Sequence, residues 1–126
     1  MIYHRQRVVA LSAAFAVIAF AVPARAARFD GAWSMTAVTT RGHCGTIPVG
    51  MRISSGRISA TGGSYAFYPI SLSGRVSASG SASLKAVTGP RIAYGTGKFK
   101  GSEASGTWQG KGPSGLCFGV WTATRV

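Results

Sequence analysis

Beyond residue 30 the chain alternates apolar and polar positions in twos. Trp33, Met35 and Ala37 interleave with Ser34, Thr36 and Val38, and Ile47, Val49, Met51 and Ile53 interleave with Pro48, Gly50, Arg52 and Ser54. A two-residue period places one set of side chains on a covered face and the other toward water, the mark of a half-buried strand. Gly, Ser and Thr punctuate the pattern at roughly 8–12-residue intervals, the spacing of short strands joined by tight turns. No segment carries a helical stripe. The pattern predicts eight or nine strands, over 31–40, 46–54, 57–61, 65–72, 75–79, 82–88, 91–99, 104–110 and 115–125.

Two internal repeats support a meander. The octapeptide Ser55-Gly56-Arg57-Ile58-Ser59-Ala60-Thr61-Gly62 recurs, with conservative changes, as Ser73-Gly74-Arg75-Val76-Ser77-Ala78-Ser79-Gly80. Gly-x-Trp occurs at Gly31–Trp33, Gly106–Trp108 and Gly119–Trp121. Residues two apart share a strand face, so each Gly leaves room beside an indole. The three Trp are read as core, the alternative being an aromatic ligand platform.

A sheet of this length must hide its edges, and closure does so. The expected fold is therefore all-β, a small antiparallel up-and-down meander closed into an eight- or nine-stranded barrel. A two-sheet sandwich satisfies the same alternation. Barrels of about eight strands are either filled by side chains or hold one small ligand. The small inward candidates Ala60, Ala78, Ala82 and Ala86 point to a narrow, filled interior.

The N-terminus reads differently. Arg5 and Arg7 precede an uncharged run from Val8 to Val22, Pro23 breaks it, and Ala24-Arg25-Ala26 offers small residues at −3 and −1. That is the layout of a cleaved secretory signal peptide over 1–26, with a single all-β domain over 27–126. The run falls short of the ~20 apolar residues a spanning helix requires, so no transmembrane segment is expected in the mature chain. The expected location is periplasmic or secreted. An oxidising compartment lets Cys44 and Cys117, the only cysteines, form a disulfide. With nine strands the two would sit at opposite rims, so either the count is even or a loop folds over.

Composition narrows the chemistry further. The chain has 126 residues, 14 Lys+Arg against 2 Asp+Glu and a formal net charge of +12. Arg5, Arg7 and Arg25 fall in the leader, so eleven basic side chains remain against Asp30 and Glu103, a net +9. Asp30 at the domain start and Glu103 in a Gly/Ser turn are poor candidates for a paired-carboxylate hydrolase. There is no Gly-x-Ser-x-Gly elbow for a Ser–His–Asp triad. His43 and Cys44 are adjacent and lack the spaced partners of a zinc site. Gly95-Thr96-Gly97-Lys98 has no following helix to cradle phosphate. No enzyme, metal or cofactor is expected.

What stands out is the placement of charge. Arg57, Arg75 and Arg91 each open an alternate strand in the nine-strand reading, which would gather them on one rim roughly 10 Å apart. Lys98, Lys100 and Arg41 would occupy the opposite rim. A basic rim suits a repeating anion, whereas basic turn residues also serve solubility and edge protection. Motifs for specific nucleic-acid recognition are absent.

Phe29-Asp30-Gly31-Ala32-Trp33-Ser34, the Gly-Arg-[Ile/Val]-Ser strands, Ser105-Gly106-Thr107-Trp108 and the closing Ser114-Gly115-Leu116-Cys117-Phe118-Gly119-Val120-Trp121 together resemble a group of small secreted bacterial Gly/Ser-rich β proteins with two cysteines. That resemblance implies an exported β domain and no catalytic residues. The early Gly-x-Trp and the paired cysteines are also similar to periplasmic barrel-type hydrolase inhibitors. Ala27 to Gly31 leaves little room for the extended N-terminal trunk that some such protease inhibitors insert. The expected function is a non-enzymatic binding or structural module that associates electrostatically with an anionic envelope polymer or lipid through Arg57, Arg75 and Arg91. The alternative is a periplasmic inhibitor of a secreted protease or lysozyme acting through an exposed loop such as Gly42 to Pro48.

Overall fold

The computed structural model describes residues 28–126, and the leader expected over 1–26 lies outside the described residues. Ten strands follow in chain order: β1 (Gly31–Arg41), β2 (Thr46–Ser54), β3 (Arg57–Gly62), β4 (Ser64–Tyr65), β5 (Tyr68–Pro69), β6 (Ser71–Val76), β7 (Ser81–Thr88), β8 (Arg91–Lys100), β9 (Glu103–Gly112) and β10 (Gly115–Arg125). Eight of them close into one antiparallel barrel in the order β1-β10-β9-β8-β7-β6-β3-β2, while β4 and β5 form a separate hairpin. The fold is the up-and-down barrel, not the sandwich. Its seam joins β1 to β10, from Trp33 opposite Arg125 to Arg41 opposite Phe118, with an irregularity between Thr39 and Arg41.

The strand count departs from the nine-strand reading between residues 62 and 80. The two octapeptide copies fold differently. In the first, Ser55 and Gly56 take positive φ (50° and 76°) and turn the chain between β2 and β3. In the second, Ser73 and Gly74 lie inside β6, and Ser77 to Gly80 make the turn. Gly74 is there for close approach: a Cβ at that position would strike the Ser83 carbonyl of β7. The copies then pair with each other, Arg57 opposite Arg75, Ile58 opposite Gly74 and Ser59 opposite Ser73. Residues 65–69, read as the first part of a strand over 65–72, belong to the small hairpin of residues 64–69 instead.

An even count puts both cysteines at the same end. Cys44 and Cys117 are bonded, with Cα atoms 6.2 Å apart, inside the ~7 Å that a bridge allows. Loop 42–45, hairpin β4–β5 and the turns β7–β8 and β9–β10 share this end, called here the open end. The turns β2–β3, β6–β7 and β8–β9 lie at the other, closed end.

The core fills the closed end with aromatic rings. Phe99 packs 4.9 Å edge-on against Trp33, 5.6 Å from Phe29 and 6.1 Å from Trp121 by ring centroid. Residues 28–30 cross this end as a plug. The Asp30 carboxylate accepts the backbone N–H groups of Ser55 (2.6 Å) and Gly56 (3.1 Å), and the Arg28 guanidinium donates to the Ala78 carbonyl. Arg125 lies 4.7 Å over the Trp33 ring and donates to the Asp30 carbonyl at 2.7 Å. A carboxylate accepting two backbone donors is worth about 1–3 kcal/mol. Asp30→Ala is thus expected to lower stability by about 1–2 kcal/mol, read as a shift in the urea midpoint with an unchanged slope.

The Gly-x-Trp motifs of β9 and β10 work as a reciprocal pair. Gly106 stands opposite Trp121, and Trp108 opposite Gly119. A Cβ on Gly106 would lie 2.6 Å from the Trp121 indole nitrogen, and one on Gly119 would lie 2.7 Å from that of Trp108. Each indole thus rests on the glycine of the neighbouring strand rather than beside its own. All three indole N–H groups are satisfied, donating to the carbonyls of Phe29, Val120 and Thr96 from Trp33, Trp108 and Trp121 respectively.

Candidate functional site

The open end is not filled. Its barrel interior forms an apolar cup of about 120 Å³, walled by side chains that include Met35, Val49, Leu72, Leu84, Trp108 and Trp121. The narrow, filled barrel expected from the sequence is therefore realised in one half only. The reason is the distribution of size along the strands. Large rings occupy the closed end, while Ala86, Ala93, Gly95, Gly110 and Gly112 face the cup. A void of that volume in a sealed core would cost roughly 3 kcal/mol, at about 24 cal/mol per Å³. Trp33 and Trp121 are core residues, but Trp108 is half-buried and lines the cup.

The mouth carries its own chemistry. Arg91 and Lys111 border it from β8 and β9. The Arg91 guanidinium stacks 5.4 Å over the Tyr65 ring of the β4–β5 hairpin. That hairpin is anchored by Thr88, whose hydroxyl reaches the carbonyls of Tyr65 and Tyr68, each at 3.2 Å. Its tip, Ala66-Phe67, holds both residues at positive φ (50° and 74°), and the Phe67 ring is fully exposed.

The predicted basic rim divides. Arg57 and Arg75 come together at the closed end, directly opposite each other on the outer face of β3 and β6. Arg91 opens β8 at the open end, because the 64–69 hairpin and the uninterrupted β6 shift the strand count by one. Lys98 and Lys100, expected on the far rim, share the closed end with Arg57 and Arg75; Arg41 lies with Arg91 at the open end.

Register adds cations that the sequence pattern did not single out. Arg52 pairs with Ser59, placing it diagonal to Arg57. Lys85 pairs with Ser73, placing it diagonal to Arg75. Lys98 pairs with Ser81 on β7. All five side chains are exposed. The outer face of the contiguous strands β2, β3, β6, β7 and β8 thus bears one or more cations on every strand. Directly opposed side chains have Cβ atoms about 5 Å apart and diagonal ones about 7–8 Å. The two carboxylates among the described residues lie off this face: Asp30 is bound to the β2–β3 turn and Glu103 opens β9 opposite Lys100. On the other flank, β9, β10 and β1 present mainly uncharged side chains outward, Ser105, Thr107, Gln109, Thr122, Thr124, Ser34 and Thr36, with Glu103 and Lys111 at the two ends of β9.

No group of three or more His, Cys, Asp or Glu among the described residues is placed to hold a metal ion. No helix among them is long and apolar enough to cross a membrane. The disulfide is consistent with an oxidising compartment outside the cytoplasm. No protein-family model matches the chain, and no curated protein matches its sequence.

Proposed function

We propose that the protein is an exported, non-catalytic binding module, periplasmic or secreted, that associates with an anionic cell-envelope polymer through the outer face of β2, β3, β6, β7 and β8. The reading rests above all on the Arg57–Arg75 pair. Like charges directly opposed across strands are destabilising, and no carboxylate on these strands relieves them. An incoming polyanion would do so, and Arg52, Lys85 and Lys98 extend the contact along it. Solubility alone asks for interspersed signs and patch-free charge; this flank has one sign only. Arg91, on the inward set of β8 at the mouth of the cup, has no part in this contact.

The test is retention of lipopolysaccharide by the oxidised protein between about 50 and 300 mM salt. Each anionic contact contributes about 0.7–0.9 to the log–log salt slope in nucleic-acid systems. Arg57→Gln with Arg75→Gln is expected to lower the slope by between one and two, whereas Arg41→Gln leaves it in place. An unchanged slope in the double variant contradicts the assignment. Stoichiometric, salt-independent inhibition of a secreted protease or lysozyme would instead favour the inhibitor reading, for which the support is that the Cys44 bond pins loop 42–45 to β10; Thr46 to Pro48, expected in that loop, already belong to β2.

A further inference from the structure

We infer that the cup at the open end is a second binding site, independent of the basic flank, and that it takes the alkyl tail of a small monoanionic amphiphile, a medium-chain carboxylate, whose head meets Arg91, with Lys111 at the rim beside it.

Three observations lead there. The first is the shape of the interior. The cup holds about 120 Å³ between almost wholly apolar walls, and it opens to solvent beside the β4–β5 hairpin. An engineered apolar cavity of about 150 Å³ stays dry and takes up benzene. By that scale the cup suits a single ring or the last five or six carbons, roughly, of a chain. The small residues that leave it open lie on three successive strands, β7 (Ala86), β8 (Ala93 and Gly95) and β9 (Gly110 and Gly112). A leucine in place of Ala86 or Ala93 would extend into this space.

The second is the charge of the mouth. The charged side chains bordering it are Arg91 and Lys111, beside the phenols of Tyr65 and Tyr94, and neither carboxylate of the described residues is among its lining. They stand on adjacent strands but on opposite faces: Arg91 belongs to the inward set of β8, over Gly112, whereas Lys111, opposite Ile92, belongs to the exposed outward set of β9 and reaches the mouth only from the rim. A neutral or cationic head would leave Arg91 without a counterpart, whereas a carboxylate gains a charge-assisted hydrogen bond from it.

The third is preorganisation. Arg91 is half-buried and held over Tyr65, its stem packed against Gly112, where a Cβ would lie 2.6 Å from its Cγ. Tyr65 in turn is fixed through Thr88. The guanidinium is thus stationed at the mouth by packing rather than free in water. Fully exposed Phe67 and exposed Leu116 stand at the same end and offer apolar contact to chain carbons beyond the cup.

The test uses the oxidised protein with three probes, octanoate, octan-1-ol and acetate, in calorimetric titrations. Octanoate is expected to bind saturably at one site, about tenfold or more tighter than octan-1-ol, one charged contact being worth roughly that factor. Acetate, a head without a tail, is expected not to bind. Arg91→Gln should erase most of the preference for octanoate over octan-1-ol, and Lys111→Gln a smaller part of it. Ala86→Leu, which adds carbon to an unfilled space and should keep the thermal transition, is expected to abolish binding of both. Equal affinity for octanoate and octan-1-ol overturns the assignment of the head group. Octanoate binding that survives Ala86→Leu in a folded variant overturns the site itself, as does the absence of saturable octanoate binding. None of these readouts involves Arg57 or Arg75, so the result stands apart from that of the polyanion test.

Discussion

Reducing the Cys44–Cys117 bond, or replacing both cysteines by alanine, is expected to lower the free energy of unfolding by about 4 kcal/mol. The bridge joins residues 73 apart in sequence, so it constrains most of the barrel in the unfolded chain. The chain-entropy relation gives about 4.4 kcal/mol for such a loop. In the folded state it ties loop 42–45 onto β10, where Gly42 fits only because it lacks a Cβ: one would meet the Leu116 carbonyl at 2.5 Å. For a domain of about 100 residues each kcal/mol moves the melting temperature by about 4–8 °C. The reduced protein should therefore melt at least about 15 °C lower. A change under about 1 kcal/mol would mean that strand pairing alone fixes the seam.

Phe99→Ala is expected to cost about 3–5 kcal/mol, the range for removing a fully buried ring from a core that cannot collapse onto the space. Phe99 is 1% exposed and touches three other aromatic rings contributed by the plug, β1 and β10. Those rings are held in turn by indole hydrogen bonds and by Arg125, so the hole has little freedom to close. Urea denaturation gives the magnitude. A red-shifted emission from Trp33 and Trp121 in the folded variant would report water entering the closed end. Val87→Ala, on an exposed position of β7, serves as the comparison and should stay within about 0.5 kcal/mol.

The fold was legible where alternation is clean. Residues 46–54 and 115–125 form strands with those same bounds, and 91–99 extends by one residue. What misled was punctuation. Ser-Gly reads as a turn at 55–56 and is one, but the same dipeptide at 73–74 sits mid-strand, because glycine there answers a close approach of β7 rather than a reversal. Conversely, Ala66-Phe67 turns the chain at positive φ without Gly, Asn or Asp to announce it. One slip of strand count then carried Arg91 to the wrong end and left the cysteines apparently mismatched.

The candidate sites were legible only in part for the same reason. Arg57 and Arg75 were visible through their shared octapeptide, and their pairing is the copies meeting face to face. Arg52 and Lys85 join them only through register, which no local pattern encodes. The cup required knowing which end each small residue faces. Ala60, Ala82 and Ala86 all point inward, yet only Ala86 lines the opening, and Ala78 lies in an exposed turn.

The central claim is that one flank of the barrel, and not the molecule's net charge at large, meets the polyanion. The most direct measurement is an amide NMR titration of the isotopically labelled, oxidised protein with a soluble acidic oligosaccharide. The account predicts shifts concentrated at Arg52, Arg57, Ser59, Ser73, Arg75, Ser83, Lys85 and Lys98, with β9, β10 and β1 little changed. Shifts spread evenly around the barrel, or centred on β9 and β10, would contradict it.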